Sequence, residues 1–218
     1  MGYNAKAGLY NFVDQFRERN GIPLNDPLNI LSFLSGVSNV DVVHHSFETH
    51  GFCGAAFFGP KQSTIILNQA RTEFEQNFDC GHELIHLGKH REINDGVFKC
   101  FESDQNSFYE WEANEGSAQL LVPYQTFIPS FVDYYDKLQK HHDFDLYGCL
   151  SDTYQVSPRV IDIRMDSLAY EIDQYRQGVM LENLDIRSRR QLKRIGITPT
   201  NYGALCAFPL DWDSPIRA

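Results

Sequence analysis

The sequence FDCGHELIH at residues 78–86 is the most constraining stretch of this chain. Apolar residues recur around it at helical spacing without a proline, so a helix over about residues 71–90 is predicted. His82 and His86 lie four residues apart, on one face of such a helix, and can hold one metal ion together. Glu83 follows His82 and can act as a general base on a water at that metal. The pattern predicts a Zn²⁺ site of peptidase type, although two unrelated histidines on a solvated helix would show the same spacing.

A catalytic zinc ion needs a third protein ligand and keeps one position open. The segment before Pro123 predicts a second helix over about residues 107–122, on which Glu110 and Asn114 share a face. We predict Glu110 as the third metal ligand and Asn114 as the residue that hydrogen-bonds a ligand and fixes its orientation. Glu112 is the alternative ligand, and both glutamates would be surface carboxylates if no metal site exists.

Other residues near these helices carry weaker signals. His90 is expected at a solvent-exposed helix end, although it could stabilise charge near the site or replace a ligand. Cys80 is expected to be a small buried apolar residue rather than a redox-sensitive neighbour. The small residues 116–118 would let the two helices approach closely. The basic tract at residues 187–194 is expected to be a solvated helix face rather than a contact for nucleic acid or an acidic partner.

Three runs rich in β-branched and aromatic residues predict strands at 41–47, 52–58 and 63–68. Short polar or glycine- and proline-containing links between them favour a small antiparallel three-stranded sheet. The second or third strand could present an edge to a peptide substrate beside the metal. Further helices are predicted at residues 5–20, 28–36, 124–140, 144–155 and 158–176. Strands followed by helices indicate an α+β protein.

Together the two helical segments resemble the ImmA/IrrE family of metallo-endopeptidases. The resemblance rests on G-H-E-L-I-H at residues 81–86, paired with E-x-x-A-N and A-x-L-L-x-P between residues 110 and 123. It extends over roughly residues 40–170, and the segment 150–164 is similar to the helix-turn-helix-like region of the family. The chain departs from the family pattern at two positions that are not metal ligands: Gly116 stands where a phenylalanine is common, and Val122 where a methionine is common.

The resemblance implies how the chain is organised and what it does. It implies a zincin-like metallopeptidase domain at residues 1–140 and a helix-turn-helix-like region at 141–176, and it leaves 177–218 as an extension of unknown role. It further implies a Zn²⁺ cofactor, a cytoplasmic location and a bacterial or phage origin. The implied substrate is a protein, a helix-turn-helix transcriptional repressor whose cleavage relieves repression of mobile-element or stress genes.

Composition narrows the class of partner. The formal net charge of −10 and the pI of about 5.2 argue against direct nucleic-acid binding and are compatible with a basic protein partner. No apolar run approaches the length of a membrane span, and the N-terminus lacks the features of a signal peptide. The five cysteines are scattered without paired spacing, which suits a reducing cytoplasm.

Two other functions compete with peptide hydrolysis. The chain could be a non-catalytic, zinc-containing regulator that binds a repressor or another partner. It could also be a toxin or host-takeover factor built on a peptidase fold. An intact Glu83 favours catalysis over the first of these, because a purely structural zinc site has no use for a base.

Overall fold

The computed structural model describes residues 5–47, 51–91, 97–101 and 108–206. The strands are β1 (Val40–His45), β2 (Phe52–Phe57), β3 (Ser63–Asn68) and β4 (Val97–Phe101). The helices are α1 (Ala5–Arg19), α2 (Ile30–Leu34), α3 (Glu73–Lys89), α4 (Phe108–Leu121), α5 (Tyr124–Lys140), α6 (Leu146–Tyr154), α7 (Pro158–Ser167), α8 (Ala169–Arg176), α9 (Arg189–Arg194) and α10 (Tyr202–Leu205). Within these ranges no helix combines the length and the apolar character needed to cross a bilayer.

The mixed α+β class is confirmed, but the predicted sheet is wrong in two respects. The sheet has four strands in the order β1-β3-β2-β4, and β1 runs parallel to β3 while the other pairs are antiparallel. Strand β3 therefore lies between β1 and β2, which are neighbours in sequence. The physical reason is burial: β2 and β3 are the most buried strands and occupy the centre, whereas β1 is largely exposed and suits an edge.

This strand order also contradicts the predicted substrate edge. Strands β2 and β3 each pair on both sides, so neither can accept a further strand. Among the described strands, β1 and β4 are the outer ones, and β4 was not predicted from the sequence.

Helix α3 begins where the sequence supplies a strong start signal. Thr72 is its N-cap, and the Glu75 side chain accepts a hydrogen bond from the Thr72 backbone N–H at 2.8 Å, which forms a capping box. The helix continues unbroken to Lys89, with His90 as its C-cap. The H-E-x-x-H sequence at residues 82–86 therefore lies within a continuous helix.

Helices α3 and α4 approach closely because each carries a glycine at the contact. A Cβ added at Gly81 would lie 2.5 Å from Ser117 Oγ, and one added at Gly116 would lie 2.9 Å from Ile85 Cγ1. The Ser117 hydroxyl donates to the Phe78 carbonyl across the same contact at 2.9 Å. The prediction that small residues at 116–118 permit close packing is confirmed.

The helices after residue 140 pack on the same core. The fully buried Arg164 of α7 lies 2.9 Å from Glu115 Oε1 in α4 and donates to the Val122 carbonyl at 2.9 Å. Lys6 of α1 makes a buried ion pair with Glu171 of α8 at 3.0 Å. The single helix predicted over 158–176 is instead two, α7 and α8, which meet at Leu168.

Candidate metal centre

Two histidines from α3 and one glutamate from α4 converge at the helix contact. His82 Nε2 lies 3.0 Å from His86 Nε2 and 3.1 Å from Glu110 Oε2. His86 Nε2 lies 3.5 Å from Glu110 Oε1. Both histidines are buried, and Glu110 is largely so. The close approach of the two helices at their glycines therefore brings three metal-ligating side chains to one point.

The donor set fits a tetrahedral zinc ion. Ligands bound to Zn²⁺ at about 2.0–2.1 Å stand about 3.3–3.4 Å apart in a tetrahedron, close to the observed separations. His82 Nδ1 lies 2.9 Å from Asn114 Oδ1, an oxygen that can only accept, so a neutral His82 carries its proton on Nδ1. Its Nε2 lone pair then points toward His86 Nε2. Two ring nitrogens at this distance share either a proton or a metal ion.

The charges of the three groups are suited to a cation. Burial works to raise the pKa of Glu110, but its contacts with the rings of His82 and His86 outweigh it and hold the pKa at about 2. Burial lowers the pKa of His86 to about 4, so this imidazole is neutral near pH 7. Burial also works to lower the pKa of His82, but Glu110 and Glu83 raise it above its ordinary value. Glu110 is therefore ionised and His86 is neutral near pH 7, so both can bind a cation. At His82 a cation must compete with a proton.

Glu83 is fully buried beside these residues. Neither of its carboxylate oxygens has a hydrogen-bond partner among the described residues. Burial, the largest effect, raises the pKa of Glu83 to about 8, with further contributions from the charges of Glu110 and Asp79. A carboxylate oxygen, a His82 ring nitrogen and Cys100 Sγ all lie within 4.8 Å of one another. An orphaned carboxylate next to a histidine pair is a natural partner for a water molecule or a cation.

Glu112, the alternative ligand, points elsewhere. Its carboxylate lies 3.0 Å from His90 Nε2 and 3.3 Å from Lys89 Nζ. Glu110 and Glu112 are two residues apart on a helix, so their side chains project in different directions. The structure thus brings Glu110, and not Glu112, to the histidine pair.

The structure differs from the sequence-based expectation at His90. This side chain is 1% exposed, so the prediction of a solvent-exposed helix end is wrong. It is buried because Phe98 of β4 and Tyr109 of α4 lie against it, with ring centroids 5.8 and 5.1 Å away. Phe98 also stacks on His86 at 4.2 Å. Sequence reasoning missed Phe98 and Cys100 as neighbours of the site because β4 was not recognised as a strand.

The remaining candidates are placed as expected. Cys80 is fully buried in the core, as predicted for a small apolar residue. The basic tract forms α9 and the turn before it. Four of its cations are exposed: Arg189, Arg190, Lys193 and Arg194.

Comparison with known proteins supplies the family. The model of the Peptidase_M78 family, described as the IrrE N-terminal-like domain, matches residues 27–166. The protein named "Uncharacterized immunity region protein 2" of Bacillus phage phi105 is 26% identical over 121 residues, which cover 54% of this chain and 68% of the phage protein.

A solved structure shares the fold. A protein described as a Mycobacterium tuberculosis transcriptional regulator superposes with a TM-score of 0.52 at 14% identity. The match covers 74% of this chain but only 47% of that protein, so the chain spans about half the length of this relative. The family match covers more than half of the chain, including both segments that build the metal centre, and the chain therefore belongs to the ImmA/IrrE family of peptidases.

Proposed function

We propose that this protein is a zinc-dependent endopeptidase of the H-E-x-x-H type. His82, His86 and Glu110 hold Zn²⁺, Glu83 is the general base, and Asn114 orients His82. The observation that carries the proposal is the convergence of three side chains, each of which has a ligand atom within 3.5 Å of a ligand atom of the other two, beside a buried carboxylate that has no partner among the described residues. The family supports a peptidase, and the donor set supports zinc as its metal.

The reaction is hydrolysis of a peptide bond. When bound, Zn²⁺ supplies Lewis-acid activation of a water molecule and stabilises negative charge on the scissile carbonyl. Glu83 takes the proton from the attacking water at a carboxylate oxygen as the new carbon–oxygen bond forms. It then gives this proton to the leaving nitrogen as the carbon–nitrogen bond breaks. With Zn²⁺ held by His82, His86 and Glu110, the pKa of Glu83 would lie below the value of about 8 that burial imposes, and Glu83 would be a base at neutral pH.

The proposed substrate is a helix-turn-helix transcriptional repressor, cleaved in the cytoplasm so that repression of mobile-element or stress genes is relieved. The phage relative, named for an immunity region, supports a link to repression. The net charge of −10 supports attraction to a basic, DNA-binding partner. Strand β4 is an outer strand that carries Phe98 against His86, so its edge is where an extended peptide would lie beside the metal.

A non-catalytic regulator explains the site less well. A structural zinc ion is normally enclosed by four protein ligands. Here three ligands converge, and the fourth neighbour is a carboxylate suited to proton transfer. Burying such a group without partners costs free energy, and groups buried at such a cost are typical of functional sites.

The test is proteolysis by the zinc-loaded protein of helix-turn-helix repressors encoded in the same genome, read by mass spectrometry of the fragments. Glu83→Gln keeps the shape and removes the base, so we expect a loss of about 10²–10⁴-fold in cleavage rate with zinc still bound. Glu73→Gln, an exposed change on the same helix, is the matched control and should cleave at the parent rate. Equal cleavage by the parent and Glu83→Gln would exclude this mechanism.

A further inference from the structure

His86 is joined to a second histidine and a carboxylate by a continuous series of contacts. His86 Nδ1 lies 2.8 Å from His90 Nδ1, and His90 Nε2 lies 3.0 Å from Glu112 Oε2. The other oxygen of Glu112 lies 3.3 Å from Lys89 Nζ. The series therefore connects one of the proposed metal ligands to an ion pair.

Only one placement of protons satisfies this series when His86 binds a metal through Nε2. That nitrogen must then offer a lone pair, so the proton of a neutral His86 sits on Nδ1 and is donated to His90. His90 Nδ1 must accept it, which places the His90 proton on Nε2, where the Glu112 carboxylate accepts it. The opposite placement would set the lone pair of His90 Nε2 against the carboxylate oxygen at 3.0 Å.

Among the described residues, His90 provides the main polar support for His86 Nδ1. His86 and His90 are each 1% exposed, and Phe98 stacks on the His86 ring. Water has little access to replace either hydrogen bond. Removing the acceptor at His90 would therefore leave His86 Nδ1 buried without a partner, which favours reorientation or the other tautomer.

We propose that His90 and Glu112 are a positioning pair that holds His86 in its metal-binding tautomer and orientation. The inference rests on the proposed function, because it takes His86 to be a metal ligand. The two imidazoles are then supported differently: His82 by the neutral amide of Asn114, and His86 by a histidine that is itself anchored to a carboxylate. Such an anchored acceptor also makes the ligand nitrogen more basic.

Zinc affinity of two His90 variants, measured by competition with a chelator, tests the pair. His90→Phe keeps the ring volume but offers no acceptor, and we expect an affinity about 10- to 100-fold below the parent. In His90→Asn the side-chain oxygen stands at about the position of Nδ1, so the affinity should stay within about threefold of the parent. Equal affinities of the parent and His90→Phe would overturn the proposal.

Two Glu112 variants provide a second test should His90→Phe not fold. Glu112→Gln retains an oxygen that accepts from His90 Nε2–H, whereas Glu112→Leu does not. We expect Glu112→Leu to bind zinc at least about fivefold more weakly than Glu112→Gln. The exposed His142→Asn is the matched control and should bind as the parent does. Identical affinities of the two Glu112 variants would contradict the proposal.

A spectroscopic readout separates this inference from the proposed function. Nitrogen-15 NMR of the metal-free protein reports which ring nitrogen of His86 carries the proton, without metal or substrate. We expect a larger Nδ1–H fraction in the parent than in His90→Phe, since His82 and Glu110 favour Nε2–H to the same extent in both proteins. Absence of peptide cleavage would count against the proposed function only. If the parent binds no zinc, the tautomer decides, and an equal Nδ1–H fraction of His86 in the parent and in His90→Phe overturns the positioning pair.

Discussion

Gly54 of β2 lies so close to Glu83 of α3 that a Cβ at position 54 would stand 3.2 Å from Glu83 Oε1. The same Cβ would stand 3.0 Å from the carbonyl oxygen of Ile66 in the neighbouring strand. Because this oxygen belongs to the backbone of the sheet, a side chain at position 54 could not move away from Glu83 toward β3. The glycine leaves the space that the proposed general base occupies.

Gly54→Ala is expected to displace the Glu83 carboxylate while the three metal ligands stay in place. Because proton transfer depends on position, kcat for peptide cleavage should fall about 10- to 100-fold, with zinc affinity within about twofold of the parent. Steady-state kinetics and chelator competition measure the two quantities. Gly8→Ala in α1, where an added Cβ meets nothing within 4 Å, is the control and should change neither. An unaltered kcat in Gly54→Ala would show that Glu83 tolerates the displacement.

Glu83→Gln is expected to stabilise the metal-free protein. Burial raises the pKa of Glu83 from 4.5 to about 8, so the folded state retains a proton that the unfolded state releases between these values. Stability is therefore lost as pH rises through this window, and the variant is free of the loss. A gain on the order of 1–2 kcal/mol near pH 7.5 is expected, after allowing for the unpaired amide that the glutamine buries.

Urea unfolding of both metal-free proteins at pH 5 and pH 7.5 measures this effect. The difference in free energy of unfolding between variant and parent should be larger at the higher pH. A difference that is constant or that shrinks with rising pH would show that Glu83 titrates normally in the folded protein.

Zinc affinity is expected to fall at acid pH because a proton competes at His82. The pKa values of Glu110 and His86 are about 2 and about 4, whereas that of His82 is raised, so His82 is the first ligand to be protonated as pH falls. Below the pKa of His82 the affinity should drop about tenfold per pH unit, since one proton is displaced per ion.

This measurement is made in the Glu83→Gln/Asp79→Asn double variant, which removes the two nearby carboxyls whose pKa burial raises above 5. Chelator competition between pH 5 and pH 8 gives the slope. A zinc affinity independent of pH over this range would contradict the role of His82 as a ligand.

Arg164→Met is expected to destabilise the protein by about 3–5 kcal/mol, because it leaves Glu115 buried without its ion-pair partner. Arg164 also donates to Gln119 and to the Val122 carbonyl at the end of α4, so the loss extends to the helix that carries Glu110. Adding Glu115→Gln should recover a large part of the stability. Arg189→Met removes the exposed ion pair with Asp166 and should lower stability by less than about 1 kcal/mol. Equal losses for Arg164→Met and Arg189→Met in urea unfolding would refute the importance of the buried pair.

Local pattern was sufficient for the helices that carry the proposed metal ligands. Four-residue spacing places His82 and His86 on one face of any helix, and the capping residues before α3 and Pro123 after α4 mark where these helices begin and end. Helix α5 lies at Tyr124–Lys140, the range that periodicity predicts. These features depend on neighbours within a few residues, which the sequence displays directly.

Packing between distant segments settled the rest. The order β1-β3-β2-β4 follows from which strands are buried on both faces, and adjacency in sequence does not reveal it. The choice of Glu110 over Glu112 depends on how α4 is rotated against α3, which the glycines at 81 and 116 set through steric contact. The burial of His90, which makes it a neighbour of the metal centre, depends on Phe98 from a strand that local pattern did not identify. Each of these depends on contacts between residues far apart in the chain, so only the folded structure resolves them.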